Sequence, residues 1–208
     1  MDTFVKKLRG VSSNQNLPIY ENVVLKNWIK KTVEGQYIDL SSRVPGIKMN
    51  DYEVSVDFMI PSDSLYLDSG NITLAATRAV QATIRVNNNI VQVRSATASE
   101  TFSQEVSLDA LHTIVLNTNT TKITLDGVEY SSTIIPSTSN VTEYWLLEQS
   151  IIGCGVYLGE VKFKKATSDN YEFILVPAIV NGISCYKNTL VNNDYIYANT
   201  GELIAFNL

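Results

Sequence analysis

The most constraining feature of this sequence is its excess of β-branched side chains. Valine, isoleucine and threonine account for 58 of the 208 residues, and serine and asparagine contribute 19 each. β-branched residues lose rotamer freedom in helices and fit a pleated, half-buried surface. Because 45% of the residues are hydrophobic and 18% are charged, the chain can bury a sizeable core. The composition therefore predicts a mostly β globular protein.

Composition and short motifs also exclude several classes of protein. The longest apolar stretch, Phe173 to Val180, is eight residues long and contains Pro177, so we predict no membrane span. The N-terminus is short on apolar residues and has no small-residue cleavage site, so we predict no signal peptide. Cys154 and Cys185 are too few for a disulfide scaffold or a closed zinc site, and they are predicted to be small buried hydrophobes, with a single bridge as the alternative. A net charge of −5 argues against general affinity for nucleic acid.

Alternation with a period of two marks the strands. Apolar residues at every second position from Tyr52 to Ile60 predict a strand with one buried face, and Pro61 ends it. Asp126-Gly127, between two alternating segments, predicts a hairpin because both central residues of such a turn need positive φ. Residues 83–86 and 90–94 flank a second connection, Asn87-Asn88-Asn89. The predicted core residues are Val54, Val56, Phe58, Ile114, Leu116, Ile123 and Leu125.

Further short strands recur at roughly ten-residue spacing, and no long amphipathic helix separates them. They are predicted at residues 112–116, 145–147, 155–164, 171–176 and 195–198. This spacing predicts an all-β fold, a two-sheet antiparallel β-sandwich, over residues 36–208. Residues 1–35 are predicted to be a separate N-terminal attachment segment.

The N-terminal segment differs from the body in charge and in pattern. Residues 1–33 carry a local charge of +4, which leaves about −9 on the rest of the chain. Its apolar residues include Val24 and Leu25, which together with Trp28 and Ile29 form either one face of a short helix or two strand fragments. A basic segment of this kind either docks on an acidic partner or is a solvated terminus. The predicted partner-docking side chains are Phe4, Leu8, Trp28 and Ile29.

Chemistry-bearing residues are sparse and poorly arranged for catalysis. His112, the one histidine, lies in an ordinary alternating strand with no nucleophile motif nearby. Glu53 and Asp57 share one strand face and could form a hydrolytic carboxylate pair, but a solvated sheet face explains them better. Some predicted loop residues carry side-chain oxygens that could bind calcium, but they do not have the spacing of a calcium-binding loop. These residues are Asp63, Asp68, Asn71 and Asp126. We therefore predict no catalytic residue, no cofactor and no metal site.

Aromatic residues are the most suggestive surplus. The chain has 11 tyrosines in addition to Trp28 and Trp145. Aromatic side chains on a sheet can stack on sugar rings or anchor a protein partner, because they combine a large apolar area with a polar tip. Ordinary core and edge packing is the alternative explanation. A cluster of exposed aromatic residues with carboxylates in one concave sheet would favour either a carbohydrate-binding module or a glycan hydrolase.

Two stretches resemble a known family. Residues 112–116 and 122–128 are similar to the paired strands of laminin-G-like and concanavalin A-like domains. Residues 173–203 are similar to the closing segment of concanavalin A-like jelly rolls in bacteriophage virion proteins, which ends in a Tyr-x-Asn-x-Gly-x-Phe motif. Here that motif corresponds to Tyr197, Asn199 and Gly201. The chain departs from the family pattern at Lys187, where aspartate is usual, and at Leu203, where an aromatic residue is usual.

The resemblance implies a concanavalin A-like jelly roll and a structural role in a phage virion. The expected function is that of a non-enzymatic head-decoration, head-fibre or tail-associated subunit, docked through its N-terminal segment. Its expected partners are other virion proteins, further copies of itself and host-surface glycans. The implied localisation is the virion, assembled in the bacterial host cytoplasm, where both cysteines would be free thiols. The alternatives are a carbohydrate-binding receptor-recognition module and a glycan hydrolase on the same fold.

Overall fold

The computed structural model describes residues 22–33, 35–63, 72–77, 83–87, 90–94, 99–131, 138–141, 143–147 and 156–208. Within these residues the chain forms seventeen β-strands and one turn of 3-10 helix, Ser41–Arg43. The strands are β1 (Val23–Leu25), β2 (Trp28–Lys30), β3 (Ile38–Asp39), β4 (Glu53–Met59), β5 (Ile72–Thr77), β6 (Thr83–Asn87), β7 (Ile90–Arg94), β8 (Ser99–Glu105), β9 (His112–Asn117), β10 (Lys122–Leu125), β11 (Val128–Ser131), β12 (Tyr144–Leu146), β13 (Tyr157–Lys164), β14 (Tyr171–Val180), β15 (Ile183–Asn188), β16 (Tyr195–Ile196) and β17 (Ile204–Phe206).

The strands form two antiparallel sheets. The large sheet follows the order β11-β10-β9-β4-β13-β14-β15-β16, with β1 joined to β14 and with β2 joined to both β13 and β17. The small sheet follows the order β3-β12-β5-β6-β7-β8. This architecture confirms the predicted all-β, two-sheet antiparallel sandwich. No helix among the described residues is long and apolar enough to cross a membrane.

The core follows the alternation that the sequence shows. β4 pairs with β9 so that Val54 lies opposite Leu116 and Val56 opposite Ile114. All seven predicted core residues are buried, with at most 4% of any of them exposed. An aromatic group completes the core, because the ring of Phe163 stacks on Tyr52 at 5.2 Å and on Phe173 at 5.0 Å. The core prediction is therefore confirmed.

The predicted Asp126-Gly127 hairpin is also confirmed. β10 and β11 pair from Leu125 opposite Val128 outward, and both turn residues have positive φ, at 50° and 83°. A Cβ atom at Gly127 would meet nothing within 4 Å, so backbone conformation alone is what favours glycine there. The connection predicted around Asn87 likewise joins two paired strands, with Asn87 opposite Ile90.

Residues 22–33 belong to the sandwich, which corrects the predicted boundary at residue 35. Of the two predicted alternatives for this segment, a short helix or two strand fragments, the structure shows the strands, since β1 pairs with β14 and β2 pairs with β13 and β17. Trp28 is 7% exposed and Ile29 is fully buried, so neither side chain is available for docking in this structure. Phe4 and Leu8 lie outside the described residues. A docking role for them stays a prediction.

Strand β14 runs through Pro177, and the pairing pattern explains how. Its last pair with β13 is at Leu175, and its first pair with β1 is at Ala178. On this edge of β14, Pro177 therefore lies between the part that pairs with β13 and the part that pairs with β1, where a missing N–H breaks no strand pairing. Its carbonyl accepts a hydrogen bond from the Lys26 N–H at 2.8 Å.

The cysteine prediction can be examined at one position. Cys185 is a buried free thiol on β15, and burial raises its pKa to about 11. Such a thiol is protonated at neutral pH and is a poor nucleophile. Cys154 lies outside the described residues.

Val56→Asp tests the register of the central strands. Val56 is fully buried between β9 and β13, so a charge there would be desolvated without a partner. We expect a loss of about 4 kcal/mol or more in the free energy of unfolding, measured by urea denaturation. The control is Ser55→Asp, because Ser55 is partly exposed and lies opposite Lys162. Equal stability of the two variants would contradict the register.

Candidate functional site

A row of side chains crosses the solvent-facing side of the small sheet at its β3 end. Asp39 lies opposite Trp145 in the pairing of β3 with β12. An antiparallel bridge between Ile38 and Ala198 sets Tyr197 on the other side of Asp39. Since Ile38 is fully buried, its neighbour Asp39 points away from the core. The row therefore consists of an aromatic ring, a carboxylate and a second aromatic ring.

Tyr37 adds a third ring to this row. It lies two residues before Asp39 on the same side of the strand, and its ring centroid is 5.0 Å from that of Trp145, with the planes inclined by 40°. Both of these rings are half-buried, whereas Tyr197 is 44% exposed. We call Tyr37, Asp39, Trp145 and Tyr197 the aromatic platform. It combines a partly buried aromatic pair with an exposed ring and an exposed carboxylate.

The carboxylate of the platform is held in place by the start of the 3-10 helix. Oδ1 of Asp39 accepts hydrogen bonds from the backbone N–H of Ser41, at 2.8 Å, and from its hydroxyl group. The Ser41 hydroxyl oxygen in turn accepts the N–H of Tyr144, at 3.1 Å. Within the described residues, Oδ2 of Asp39 accepts no hydrogen bond. That oxygen is oriented but left available as an acceptor.

Residues of the Tyr-x-Asn-x-Gly motif near the end of the chain hold the backbone of Tyr37 in place. Oδ1 of Asn199 accepts the Tyr37 N–H at 2.6 Å, and its amide donates to the Gly35 carbonyl at 3.2 Å. Gly201 has a φ of 63°, and the amide of the fully buried Gln36 lies 3.4 Å from where its Cβ would be. The motif that carries the family resemblance thus builds one side of the platform.

A partly buried ion pair anchors the 3-10 helix that holds Asp39. Arg43 donates two hydrogen bonds to the carboxylate of Asp194, which also accepts the Asn188 amide at 2.9 Å. Burial alone would raise the pKa of Asp194, but the hydrogen bonds from Arg43 and Asn188 and the nearby positive charges hold it below its ordinary value. The ion pair connects the helix to the turn before β16.

His112 has more polar contacts than its sequence context predicts. Its Nδ1 lies 2.7 Å from Oδ2 of Asp126, and its Nε2 lies 3.2 Å from the hydroxyl of Ser107. This corrects the expectation that no nucleophile lies near the histidine. However, Nε2 is closer to the backbone carbonyl of Ser107, at 2.9 Å, and a carbonyl can only accept. A nitrogen that donates to a carbonyl cannot take the serine proton, so the geometry is that of a structural clamp.

The two candidate carboxylates of β4 lie on the outer side of the large sheet. Glu53 accepts the Asn117 amide at 2.8 Å and pairs with Lys164 at 3.4 Å. Asp57 accepts the Thr113 hydroxyl at 2.7 Å, and mainly burial raises its pKa. Four residues of strand separate them by about 13 Å, whereas paired glycosidase carboxylates lie about 5–10 Å apart. The structure does not bring them together for hydrolysis.

The part of the chain that the structure describes contains no cluster of side chains suited to bind a metal ion. There, no three side chains among histidine, cysteine, aspartate and glutamate lie close enough together to hold an ion. Of the loop oxygens considered for calcium, Asp126 instead accepts the Thr113 N–H at 2.9 Å and contacts His112. Asp68 and Asn71 lie outside the described residues.

The sequence names Trp145 only as part of a general aromatic surplus, together with Trp28 and the tyrosines, and it predicts no cluster of Trp145 with Tyr37, Asp39 and Tyr197. Tyr37 and Asp39 flank the buried Ile38, so a short alternation was present in the sequence. The platform forms because segments more than one hundred residues apart become neighbours, and no local pattern reports that pairing. The Tyr-x-Asn-x-Gly motif was the available signal for Tyr197.

Comparison with known proteins gives a fold but no family. No protein-family model matches the chain, and no curated protein matches its sequence. Among solved structures it is similar to a Bacteroides ovatus protein described as a "putative carbohydrate binding protein", with a TM-score of 0.54 and 10% identity. That match covers 88% of this chain and 61% of the other, so the chain spans about three fifths of its length. At this identity the likeness shows the fold alone.

Two weaker structural similarities are a galectin from Caenorhabditis elegans and the receptor-binding domain of botulinum neurotoxin type G. The galectin has a TM-score of 0.40 and 9% identity, over 66% of this chain and 96% of the galectin. The neurotoxin domain has a TM-score of 0.38 and 9% identity, over 70% of this chain and 41% of the other.

The ion pair of Arg43 and Asp194 makes stability depend on pH. The pKa of Asp194 is lower in the folded state than in the unfolded state, so its ionised carboxylate stabilises the fold. This stabilisation is present at pH values above the unfolded pKa of about 3.9, and it is lost as the pH falls through the folded pKa. Asp194→Asn should therefore unfold at a lower urea concentration than the parent at pH 7. The difference should shrink as the pH falls below the unfolded pKa of about 3.9. A gap of the same size at pH 2.5 and pH 7 would contradict this assignment.

Proposed function

We propose that this domain binds a glycan on the aromatic platform and does not change it chemically. The observation that carries the proposal is the row of Tyr197, Asp39 and Trp145, supported by Tyr37. Aromatic rings present a flat apolar surface to the C–H face of a sugar, and an oriented carboxylate oxygen accepts hydrogen bonds from sugar hydroxyls. Binding sites of this kind combine apolar walls with a few placed polar groups.

Pre-organisation of the platform supports this function. The carboxylate is held by Ser41, and Tyr37 is tied through its backbone to the side chain of Asn199. Groups that are already oriented lose little conformational entropy on binding, so more of the contact energy contributes to affinity. The similar Bacteroides ovatus protein bears a carbohydrate-binding description, which is consistent with the proposal but is a statement about that protein.

Absence of catalysis is part of the same proposal. His112 is engaged by a carbonyl acceptor, and Glu53 and Asp57 stand too far apart on the outer side of the other sheet for a hydrolytic pair. These contacts support a binding module in preference to a glycan hydrolase.

Tyr197→Ala tests the platform directly. The side chain is 44% exposed, so its removal should leave the fold intact while it removes one stacking surface. We expect an affinity loss of about tenfold or more for a glycan identified on a glycan array, measured by isothermal titration calorimetry, and a similar loss for Asp39→Asn.

Tyr171→Ala is the matched control. Tyr171 is a tyrosine of similar exposure, at 40%, and it lies on β14 of the large sheet beside Lys164. This variant should keep the parent affinity, and no reducing sugar should accumulate in any of the titrations. If Tyr197→Ala binds as tightly as Tyr171→Ala, the platform is not the glycan site. Release of reducing sugar that is lost in Asp57→Asn would overturn the non-enzymatic part.

A finer proposal places this sandwich on a bacteriophage particle. The resemblance of residues 173–203 to the closing segment of virion jelly rolls supports it. In this proposal the domain is a head-decoration, head-fibre or tail-associated subunit that assembles in the bacterial cytoplasm and recognises host-surface glycans. Neighbouring copies and other virion proteins would be its partners, contacted by residues upstream of β1.

Deleting residues 1–20 tests the attachment part of this proposal. The deletion ends before Asn22, whose N–H is bonded at 3.1 Å to the Asn181 side chain, so every described strand is retained. We expect normal thermal unfolding and loss of incorporation into particles, assayed by mass spectrometry of purified virions. The full-length chain is the control. Incorporation of the truncated chain at the normal copy number would show that residues 1–20 do not attach it.

A further inference from the structure

A second aromatic cluster lies on the outer side of the large sheet, where β2 joins β13. Leu158 pairs with Ile29, which sets Tyr157 beside Lys30 on the neighbouring strand. Leu158 and Ile29 are fully buried, so Tyr157 and Lys30 point away from the core. Phe206 joins them from β17. This cluster is distinct from the aromatic platform, which belongs to the other sheet.

The two rings form a corner that holds the lysine. The centroids of Tyr157 and Phe206 are 4.8 Å apart, with the planes nearly perpendicular at 87°. The ammonium nitrogen of Lys30 lies 5.4 Å from the centroid of Tyr157 and 5.6 Å from that of Phe206. Ile204, which is 45% exposed, lies opposite Lys30 on β17 and extends the apolar surface.

Lys30 differs from three other lysines of the large sheet in having no glutamate partner in the described part of the chain. It also differs from Lys187, which lies over the single ring of Tyr195 and near enough to Asp194 to lower the pKa of that carboxyl. Lys122, Lys162 and Lys164 each pair with a glutamate, at 2.7, 2.5 and 3.4 Å. Lys30 contacts two aromatic rings, and no carboxylate lies within ion-pair distance of it among the described residues. Rings attract an ammonium group but do not neutralise its charge. A half-buried cation of this kind has capacity for an external anion, even though the chain has a net charge of −5.

We propose that Lys30, Tyr157, Phe206 and Ile204 form a second binding site, for a sugar that carries a carboxylate. The ammonium group would pair with the sugar carboxylate, while Ile204 and the exposed parts of the rings would contact the C–H face of the sugar. A partly desolvated ammonium beside apolar groups interacts more strongly with an anion than a fully hydrated one does. The proposal depends on the proposed function only in taking a glycan as the ligand, because the two sites share no residue.

Two matched pairs of probes separate charge from sugar shape. The first pair is a trigalacturonic acid and its methyl ester, and the second is sialyllactose and lactose. We expect at least one acidic member to bind in calorimetric titrations, about tenfold or more tightly than its neutral counterpart. This preference should weaken as salt is added, because the carboxylate contact is partly solvent-exposed.

Variants of the full chain locate the site. Lys30→Gln should remove the preference for the acidic sugar, and Lys30→Arg should retain most of it. Lys26→Gln is the control, because Lys26 is a partly exposed lysine between β1 and β2 with no ring contact in the described part of the chain. Thermal unfolding of each variant shows whether the fold is retained.

The outcomes distinguish this site from the aromatic platform. Lys30→Gln should leave the platform's glycan binding unchanged, and Tyr197→Ala should leave acidic-sugar binding unchanged. If both acidic sugars bind no better than their neutral counterparts, or if Lys30→Gln and Lys26→Gln behave alike, the second site is wrong and the platform is unaffected. If Tyr197→Ala alone has no effect on glycan binding, the proposed function fails and the second site stands.

Discussion

The close packing around Gly159 is the constraint on which the rest of this sandwich depends. Gly159 and Glu160 on β13 together oppose Asp57 on β4, which makes a β-bulge in the large sheet. A Cβ atom at Gly159 would lie 3.0 Å from the Cβ of Asp57 and 3.4 Å from the ring of Trp28, so a larger residue would require these neighbours to shift by a few tenths of an ångström. The buried hydroxyl of Tyr186 donates to the Gly159 carbonyl at 2.9 Å and fixes the bulge from β15.

Beyond the bulge, β13 no longer pairs with β14, and the N-terminal strands take its place. β1 pairs with the far end of β14, and β2 with the far end of β13. The chain then crosses from the large sheet to the small one through Lys31, whose buried ammonium group donates to the Leu147 carbonyl at 3.3 Å. Lys30 consequently faces outward on one sheet and Asp39, nine residues later, faces outward on the other. Both proposed sites therefore depend on the same short stretch of chain.

Features that depend on residues close together in the sequence could be predicted, and features that depend on residues far apart in the sequence could not. Alternation within β4, β9 and β10 needs only neighbouring residues, and it identified the strands, the Asp126-Gly127 turn and all seven core side chains. The placement of Trp28 depends on a bulge 131 positions later in the chain, which no local pattern shows. For the same reason the sequence predicts an arm over residues 1–35, although tertiary pairing makes strands of residues 23–25 and 28–30.

Opposite charges at the two sites imply different ligands for them. The platform carries an oriented carboxylate and has no lysine or arginine in its row, so an acidic sugar would meet repulsion there and a neutral sugar would find a hydrogen-bond acceptor. The second cluster carries an ammonium group without a carboxylate partner in the described part of the chain, and this reverses the preference. A glycan that contains both neutral and acidic sugars could contact two copies of the domain through different sites. Weak individual contacts of this kind give useful avidity when several copies are held on one surface.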